Sequence, residues 1–454
     1  MTMQIEHPEY LSELSAICKQ NYDIPKAAFE TGNVKRGLRN SDGTGVVAGV
    51  TKVGLVHGYI MNEGEKEPVD GKLFYRGYDV DELVEGYIAE DRYGFEECSY
   101  ILFFGSLPTK EQLEKFKALM SNNAQLPVNF TEDVIMRAPS ANIMNKIQTS
   151  ILSLYSYDPN PEDTSIDNII RQSVQITARL PIIAAHAYSV KRHNFDHDSL
   201  LLHYPLEGLS TAQNFLRILG KDVSFNEEEA KLLDLCLVLH AEHGGGNNST
   251  FACRVLSSSG TDTYSAIAAA VGSLKGPKHG GANIKVEEMF ENIKQNVKDW
   301  KDEAEISTYL LKILNKQAGA DNSGLIYGMG HAIYTKTDPR AIILKKYARR
   351  LAEAKGFAEE FDLLERAEKL APDAFFNNKG NGKAICANVD MYSGLVYRMM
   401  GIPADLYTPL FAMARITGWC AHRLEEIATG GRIIRPGYKT LFEQSPYIPI
   451  DERE

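Results

Sequence analysis

Residues 165–190 read SIDNIIRQSVQITARLPIIAAHAYSV, and their apolar side chains recur at three- and four-residue spacing. That is the period of a helix with a buried face, not the alternation of a strand. The same spacing organises DVDELVEGYIAE (79–90), FEECSYILFFGSLP (95–108) and TKEQLEKFKALMSNN (109–123). It continues through 226–242, 262–275, 283–298, 304–317, 339–354, 357–370, 391–400 and 408–427. Helix boundaries are legible too. Gly105 to Pro108 stops one helix, and Thr109 with Gln112 three residues later forms a capping box for the next. One stretch has a different texture. From Val46 to Phe74, VVAGVTKVGLVHGYI is rich in β-branched residues, and Asn62-Glu63-Gly64 supplies a turn before GKLFYRGYD. This predicts a small β-hairpin near 46–75. The glycines from Gly43 to Gly49 follow no strand and read as a loop entering it. The expected fold class is all-α with one N-terminal β-hairpin. Residues 1 to about 38 carry no strong motif, and SPYIPIDERE (445–454), with two prolines, reads as an extended arm.

A chain of 454 residues exceeds what one hydrophobic core usually supports, so two domains are expected. The formal net charge of −11 repels phosphate backbones and anionic lipid, which argues against nucleic-acid and membrane partners. It leaves an anionic substrate open, because a local group of arginines can override the global field. The six cysteines (Cys18, Cys98, Cys236, Cys253, Cys386, Cys420) form no CxxC pairs, so they read as reduced thiols and not as a disulfide framework or zinc site. The N-terminus, MTMQIEHPEYLSEL, has early acids, no arginine and no apolar core, unlike a secretory or mitochondrial leader. No run of eighteen apolar residues is present. The expected compartment is the cytoplasm.

Three loops draw the chemistry together. In LCLVLHAEHGGGNNST, Leu232, Leu235, Cys236 and Leu239 give a helix its core face, and Gly244–Gly246 ends it. His240 and His243 lie three apart, which predicts one shared helical face. As a metal pair they are weak, since no third ligand is suggested, and no metal site is expected. His243, beside the glycines, suits a substrate contact; a buried histidine satisfied by backbone fits this segment at least as well. In DTYSAIAAAVGSLKGPKHGGAN, Gly276-Pro277 ends a small-residue helix and His279 sits in a tight turn before a helix beginning near Asn283. A neutral imidazole at a helix N-terminus can donate to an oxygen gaining charge, or it can merely cap the turn. In SGLIYGMGHAIYTKTDPRA, Gly328 and Gly330 bracket a stretch expected to expose backbone amides, His331 follows, and Asp338-Pro339 starts a helix with Arg340 in its first turn. KGNGKAICANVDMYSG then presents Asp390 after an apolar run. Such surroundings raise a carboxyl pKa and suit a general base; an N-cap for the helix that follows competes with that reading. Arg415 in PLFAMARITGW lies on an otherwise apolar helix and needs an anion. Arg435 in RIIRPGYK is less distinctive.

In this order the motifs resemble the citrate synthase family, bacterial type. The signatures are His-Ala-Glu-His (240–243), Gly-Pro-Lys-His-Gly-Gly-Ala-Asn (276–283), Gly-Met-Gly-His (328–331), Asp-Pro-Arg (338–340), Asn-Val-Asp (388–390) with Ser-Gly (393–394), and Phe-Ala-Met-Ala-Arg (411–415). Tyr-Arg-Gly-Tyr (75–78) and Gly-Ser-Leu-Pro (105–108) match N-terminal landmarks, so the resemblance runs from about Leu38 to Tyr438. It implies that acetyl-CoA condenses with oxaloacetate, with acetyl-CoA as co-substrate and no separate cofactor. It implies Asp390 as the base, His279 as the group that stabilises the enol, and His331 as the group that polarises the ketone. It gives oxaloacetate to His243, Arg340, Arg415 and Arg435, the last reaching in from the second subunit of a homodimer with shared sites. CoA would meet Leu325, Ile326, Gly328, Met329, Lys383 and Asn388. The resemblance divides the chain into a large domain (1–283 and 398–454) and a small mobile domain (284–397) carrying His331, Arg340 and Asp390.

The chemistry agrees with those roles. A thioester methyl is a poor carbon acid, so its base needs an oxyanion partner acting at the same moment. Two substrate carboxylates need planar, permanently charged forks, and closure must keep water from the enol. The chain departs from the family at Asn248, where Ala or Cys is frequent, and at Met329, where an aromatic residue is frequent. The nearest alternative is 2-methylcitrate synthase, which uses propionyl-CoA through the same residues. One methylene is worth only about 1–3 kcal/mol of discrimination. A non-catalytic metabolite-binding scaffold is a more remote alternative, and it gives no reason to keep His279, His331 and Asp390 together.

Overall fold

The computed structural model describes residues 8–40, 43–63, 65–379 and 385–453. The hairpin begins eight residues later than its composition suggested: β1 (Gly54–Asn62) pairs antiparallel with β2 (Glu65–Tyr75), and a short β3 (Tyr78–Asp79) folds back on β2. Asn62 faces Glu65 across the turn, where Glu63 has φ of 49°. Gly64 lies outside the described residues. Val47 and Val50 are 89% and 92% exposed. β-Branched residues favour a strand only where a paired, half-covered surface receives them, and these two have none.

The chain then turns helical: α3 (Val80–Ala89), α4 (Phe95–Phe104), α5 (Lys110–Asn122), α6 (Ile143–Leu154), α7 (Ile166–Phe195), α8 (Thr211–Leu219) and α9 (Glu227–His240). It continues with α10 (Asn248–Ser258), α11 (Thr263–Lys275), α12 (Ala282–Asn296), α13 (Glu303–Leu314), α14 (Pro339–Lys355), α15 (Ala358–Lys379), α16 (Asp390–Met399) and α17 (Tyr407–Ala428). The Thr109–Gln112 capping box is present. Helices α6, α8 and α10 were not expected. α8 has its own capping box, Ser210 with Gln213, and α6 is capped by Asn142. α10 opens on Asn-Ser-Thr and has no side-chain cap bond, so nothing local announces it. Two further helices, α1 (Pro8–Asn21) and α2 (Lys26–Thr31), precede the sheet.

The described chain divides into two compact units, Met1–Ala48 with Arg435–Glu454, and Gly49–Ile434. In the first, an extended C-terminal segment places the Lys439 ammonium on the Gly32 carbonyl at 2.5 Å. The second is built around α17, whose side chains from Tyr407 to Leu424 are all buried. A helix covered on every side must be apolar or have its polar groups answered internally. Arg423 is answered by Thr263 Oγ1, Ser257 Oγ and the Thr261 carbonyl. α7, α9, α10 and α11 pack around α17. Farther along, α13 packs on α15 and α16 packs on α12 and α14. Arg398 of α16 ties that group together, pairing with Glu291 of α12 at 2.7 Å and Glu360 of α15 at 2.6 Å. Among the described residues no helix is long and apolar enough to cross a membrane.

Candidate active site

α9 ends at His240, so His240 and His243 do not share a helical face as their spacing suggested. The last turn of α9 gives its carbonyls to side chains: Tyr75 Oη donates to the Val238 carbonyl at 2.8 Å and Arg415 Nε donates to the His240 carbonyl at 2.7 Å. Those contacts stop the helix and turn the chain. His240 itself is satisfied by backbone, its Nδ1 lying 2.8 Å from the Cys236 carbonyl, and burial holds its pKa down to about 3. His243 is different. It is buried, and its Nε2 has no hydrogen-bond partner among the described residues. Burial, then Arg340 and His331, push its pKa well below the usual range, so it is a neutral imidazole.

His331 faces His243 with ring centroids 5.0 Å apart. The backbone N–H groups of Ile333 and Tyr334 both donate to its Nδ1 at 3.1 Å. A nitrogen accepting two donors carries a lone pair, so the neutral ring holds its proton on Nε2. Tyr334 stacks against His331 with centroids 4.7 Å apart. The Tyr334 hydroxyl donates to the Lys72 carbonyl of β2, and the Gly71 N–H of β2 donates to Thr337 Oγ1 at 2.8 Å. The sheet thus fixes the loop that carries His331. Asp338 caps α14 and holds Arg340 as a two-pronged pair, with Nε to Oδ1 at 3.0 Å and Nη2 to Oδ2 at 2.6 Å.

The loops carrying His331 and Asp390 are stitched together. Gly330 N–H donates to the Cys386 carbonyl at 2.7 Å, Asn388 N–H donates to the Gly328 carbonyl at 2.9 Å, and Asn388 Nδ2 donates to the Gly330 carbonyl at 2.9 Å. Gly328 has φ of 79°, and a Cβ there would come within 2.9 Å of Met391 Cα, so both its conformation and its closeness require glycine. The amides of Met329 and Gly330, expected to be exposed, are spent within the protein, on the Ile326 and Cys386 carbonyls. Leu325 is half-exposed and Ile326 is buried. Lys383 lies outside the described residues.

Asp390 is the first residue of α16 and does not cap it. The amides of Met391, Tyr392 and Ser393 bond to the Asn388 and Val389 carbonyls instead. Burial, opposed by Arg340 and Arg415, raises the Asp390 carboxyl to about 6. His279 sits in the turn before α12, with Nε2 3.0 Å from Ser249 Oγ, and that oxygen accepts from Trp419 Nε1 at 3.2 Å. Burial, then the charge of Arg415, lowers His279 to about 4, so this ring too is neutral. Arg415 is fully buried, and its Nη1 and Nη2 have no partner among the described residues. Burial lowers it to about 10, so it remains a cation at neutral pH. Phe411 joins the two halves of the site: the Arg415 guanidinium lies 4.9 Å from its ring, and His279 lies 6.3 Å away. Arg435 falls in the terminal unit and is exposed.

The site therefore gathers neutral imidazoles, a carboxylate with a raised pKa and a guanidinium with two unclaimed donors. Tyr75, Ser249 and Tyr334 belong to it as supports that sequence reading missed. Ser249 stands three residues after the glycine run and offered a local signal; the partners of Tyr75 lie far away in sequence. Among the described residues no group of three or more His, Cys, Asp or Glu side chains could hold a metal ion.

The citrate synthase C-terminal domain family matches residues 42–437. A citrate synthase from Synechocystis is 34% identical over 387 residues, covering 85% of this chain and 89% of its own. One from Corynebacterium glutamicum is 33% identical over 451 residues, covering 94% and 96%. Among solved structures, citrate synthase from Thermotoga maritima superposes with a TM-score of 0.72 at 28% identity, covering 93% of this chain and 99% of that one. The Thermoplasma acidophilum enzyme, in ternary complex with carboxymethyl coenzyme A and oxaloacetate, superposes with a TM-score of 0.73 at 27% identity, covering 92% and 99%. With a family match across most of its length and relatives aligned nearly end to end, this chain belongs to the citrate synthase family.

Proposed function

We propose that this chain condenses acetyl-CoA with oxaloacetate and water to give citrate and CoA, using Asp390, His279 and His331. The observation that carries the reading is Asp390, a buried carboxylate raised to about 6 that caps nothing and feels the charges of Arg340, Asp338 and Arg415. Asp390 takes a proton from the acetyl methyl, and the neutral ring of His279 hydrogen-bonds the thioester oxygen as the enol forms. The enol carbon then bonds to the oxaloacetate keto carbon, and His331 gives its Nε2 proton to the new alkoxide. Water cleaves the resulting thioester, releasing CoA thiol and citrate. His243 Nε2 and the Nη1 and Nη2 of Arg415, all without partners in the described residues, are available to the oxaloacetate carboxylates, with Arg340 held beside them by Asp338. The Leu325–Met329 stretch, Lys383 and Asn388 remain the side that meets CoA. Arg435 completes the anion set from a second copy of the chain, and residues 284–397 close over oxaloacetate as a body. Acetyl-CoA enters as co-substrate, and the chain's own acid–base groups carry the steps.

Free thiol release with oxaloacetate tests this reading. Turnover with acetyl-CoA well above that with propionyl-CoA is expected. The reverse preference shifts the activity to 2-methylcitrate formation, and no release with either acyl-CoA removes the condensation reading. The pH profile is a second test. The base must be ionised, so turnover is expected to fall as pH drops through about 6, the value to which Asp390 is raised. Below it each pH unit costs about tenfold. A flat acid limb down to pH 4.5 would remove Asp390 as the base.

A further inference from the structure

We infer that Glu242 is a built-in counter-charge to Arg415 that holds down the affinity of the site for carboxylate anions, so that the product, with one more carboxylate than oxaloacetate, can leave. The inference rests on the condensation reading given above. Arg415 is fully buried and, among the described residues, directs only Nε to a protein group, the uncharged His240 carbonyl. A buried guanidinium with no negative charge nearby is costly. Glu242 is also fully buried, and its Oε2 has no hydrogen-bond partner among the described residues. The two side chains meet over the Cα of Gly418 of α17, where there is no side chain to separate them. A Cβ on that glycine would stand 2.5 Å from Glu242 Oε2 and 3.4 Å from Arg415 Cδ. They are thus close enough to feel each other's charge, yet no ion pair joins them in the described residues, and both Nη atoms stay available.

The rest of the cluster keeps Glu242 ionised and in place. His422 Nε2 lies 2.9 Å from Glu242 Oε1, and the Gly244 N–H donates to the same oxygen at 2.6 Å. Arg254 Nε and Nη2 donate to His422 Nδ1 at 3.1 and 2.7 Å. That leaves a His422 proton on Nε2, facing Glu242, so the ring holds the carboxylate in place. Arg254 is itself held by Glu425 and Glu426 of α17. Burial alone would raise the Glu242 carboxyl, but His422, Arg415 and the Gly244 amide bring it below the usual range.

Glu242 is thus a positioning residue that touches no reacting atom, and its charge acts on substrate and product through Arg415. Damage to the fold would weaken anion binding, whereas loss of this counter-charge should strengthen it. The test compares wild type with Glu242→Gln, which keeps the size and hydrogen bonds of the side chain. Purified full-length protein is assayed for the KM of oxaloacetate, inhibition by citrate, and citrate binding by calorimetry. The variant is expected to show KM and citrate Kd about tenfold lower, with kcat reduced because product leaves slowly. A rise in either constant, or no change, overturns the proposal. If Glu242→Gln does not fold, Glu242→Asp draws the carboxylate back from Arg415 and is expected to shift both constants in the same direction by a smaller factor. A weaker or unchanged citrate Kd there also overturns it. Thiol release by wild type, measured first, separates failure of this inference from failure of the condensation reading.

Discussion

Asp390→Ala is expected to lower condensation turnover at least ~10³-fold, about 4 kcal/mol of barrier, while oxaloacetate binds as tightly as before or more tightly. Both halves come from one geometry. Asp390 is raised to about 6 because it is surrounded by protein, and the charges acting on it are Arg340, Asp338 and Arg415. Removing it deletes the only carboxylate of the site that is neither capping a helix nor bonded to an arginine or histidine among the described residues. It also removes a negative charge from beside the arginines proposed to read the oxaloacetate carboxylates, so binding has no reason to weaken. Single-turnover thiol release and calorimetry with oxaloacetate report the two quantities separately. Turnover within tenfold of wild type would remove Asp390 from the chemistry. Intact chemistry with lost binding would make it a structural residue.

Arg415→Lys is expected to cost about 10²–10³-fold in kcat/KM for oxaloacetate, carried mostly by KM. Charge is conserved in this substitution, so the loss isolates geometry. A guanidinium can spend Nε on the His240 carbonyl and still offer two parallel N–H groups to a carboxylate. An ammonium is a point charge on a flexible stem and cannot hold the end of α9 and the substrate at once. Truncating one partner of a buried charge pair costs about 2–5 kcal/mol, which brackets the predicted factor. Steady-state kinetics at saturating acetyl-CoA measure it, and a KM within threefold of wild type would remove Arg415 from oxaloacetate binding.

Much of this was readable in the sequence because it is written locally. A helical period shows in any window of a dozen residues, and the long helices from α11 onward fall within a few residues of where that period placed them, except α15, which runs nine residues past its expected end and through Pro372. α10 escaped because its first turn is Asn-Ser-Thr and its face is small and mixed. The hairpin's entry was misplaced because Val47 and Val50 favour strands but find no partner strand. His240 and His243 were read as one helical face because spacing cannot report that Tyr75 and Arg415 end the helix between them. The residues proposed to bear the chemistry stood out by their glycine surroundings. Those that hold them did not, since Tyr75, Tyr334 and His422 look like ordinary core residues until the distant chain they touch is known.

The stitching of the N-terminal sheet to later segments also sets the order in which the molecule can be born. Tyr75 bonds to a carbonyl 163 residues downstream, Gly71 to a side chain 266 residues downstream, and the Lys52 amide to Glu425 across 373 residues. At ~5–20 residues per second, synthesis takes roughly 20–75 s to cross that last interval. Throughout that time the sheet has no floor, and α9 has no arginine to end it. α17, the axis of the body, is among the last elements to leave the ribosome. Nascent chains arrested before Arg415 should therefore be protease-sensitive throughout and unable to retain oxaloacetate, so this protein acquires its active site in one late step and not domain by domain.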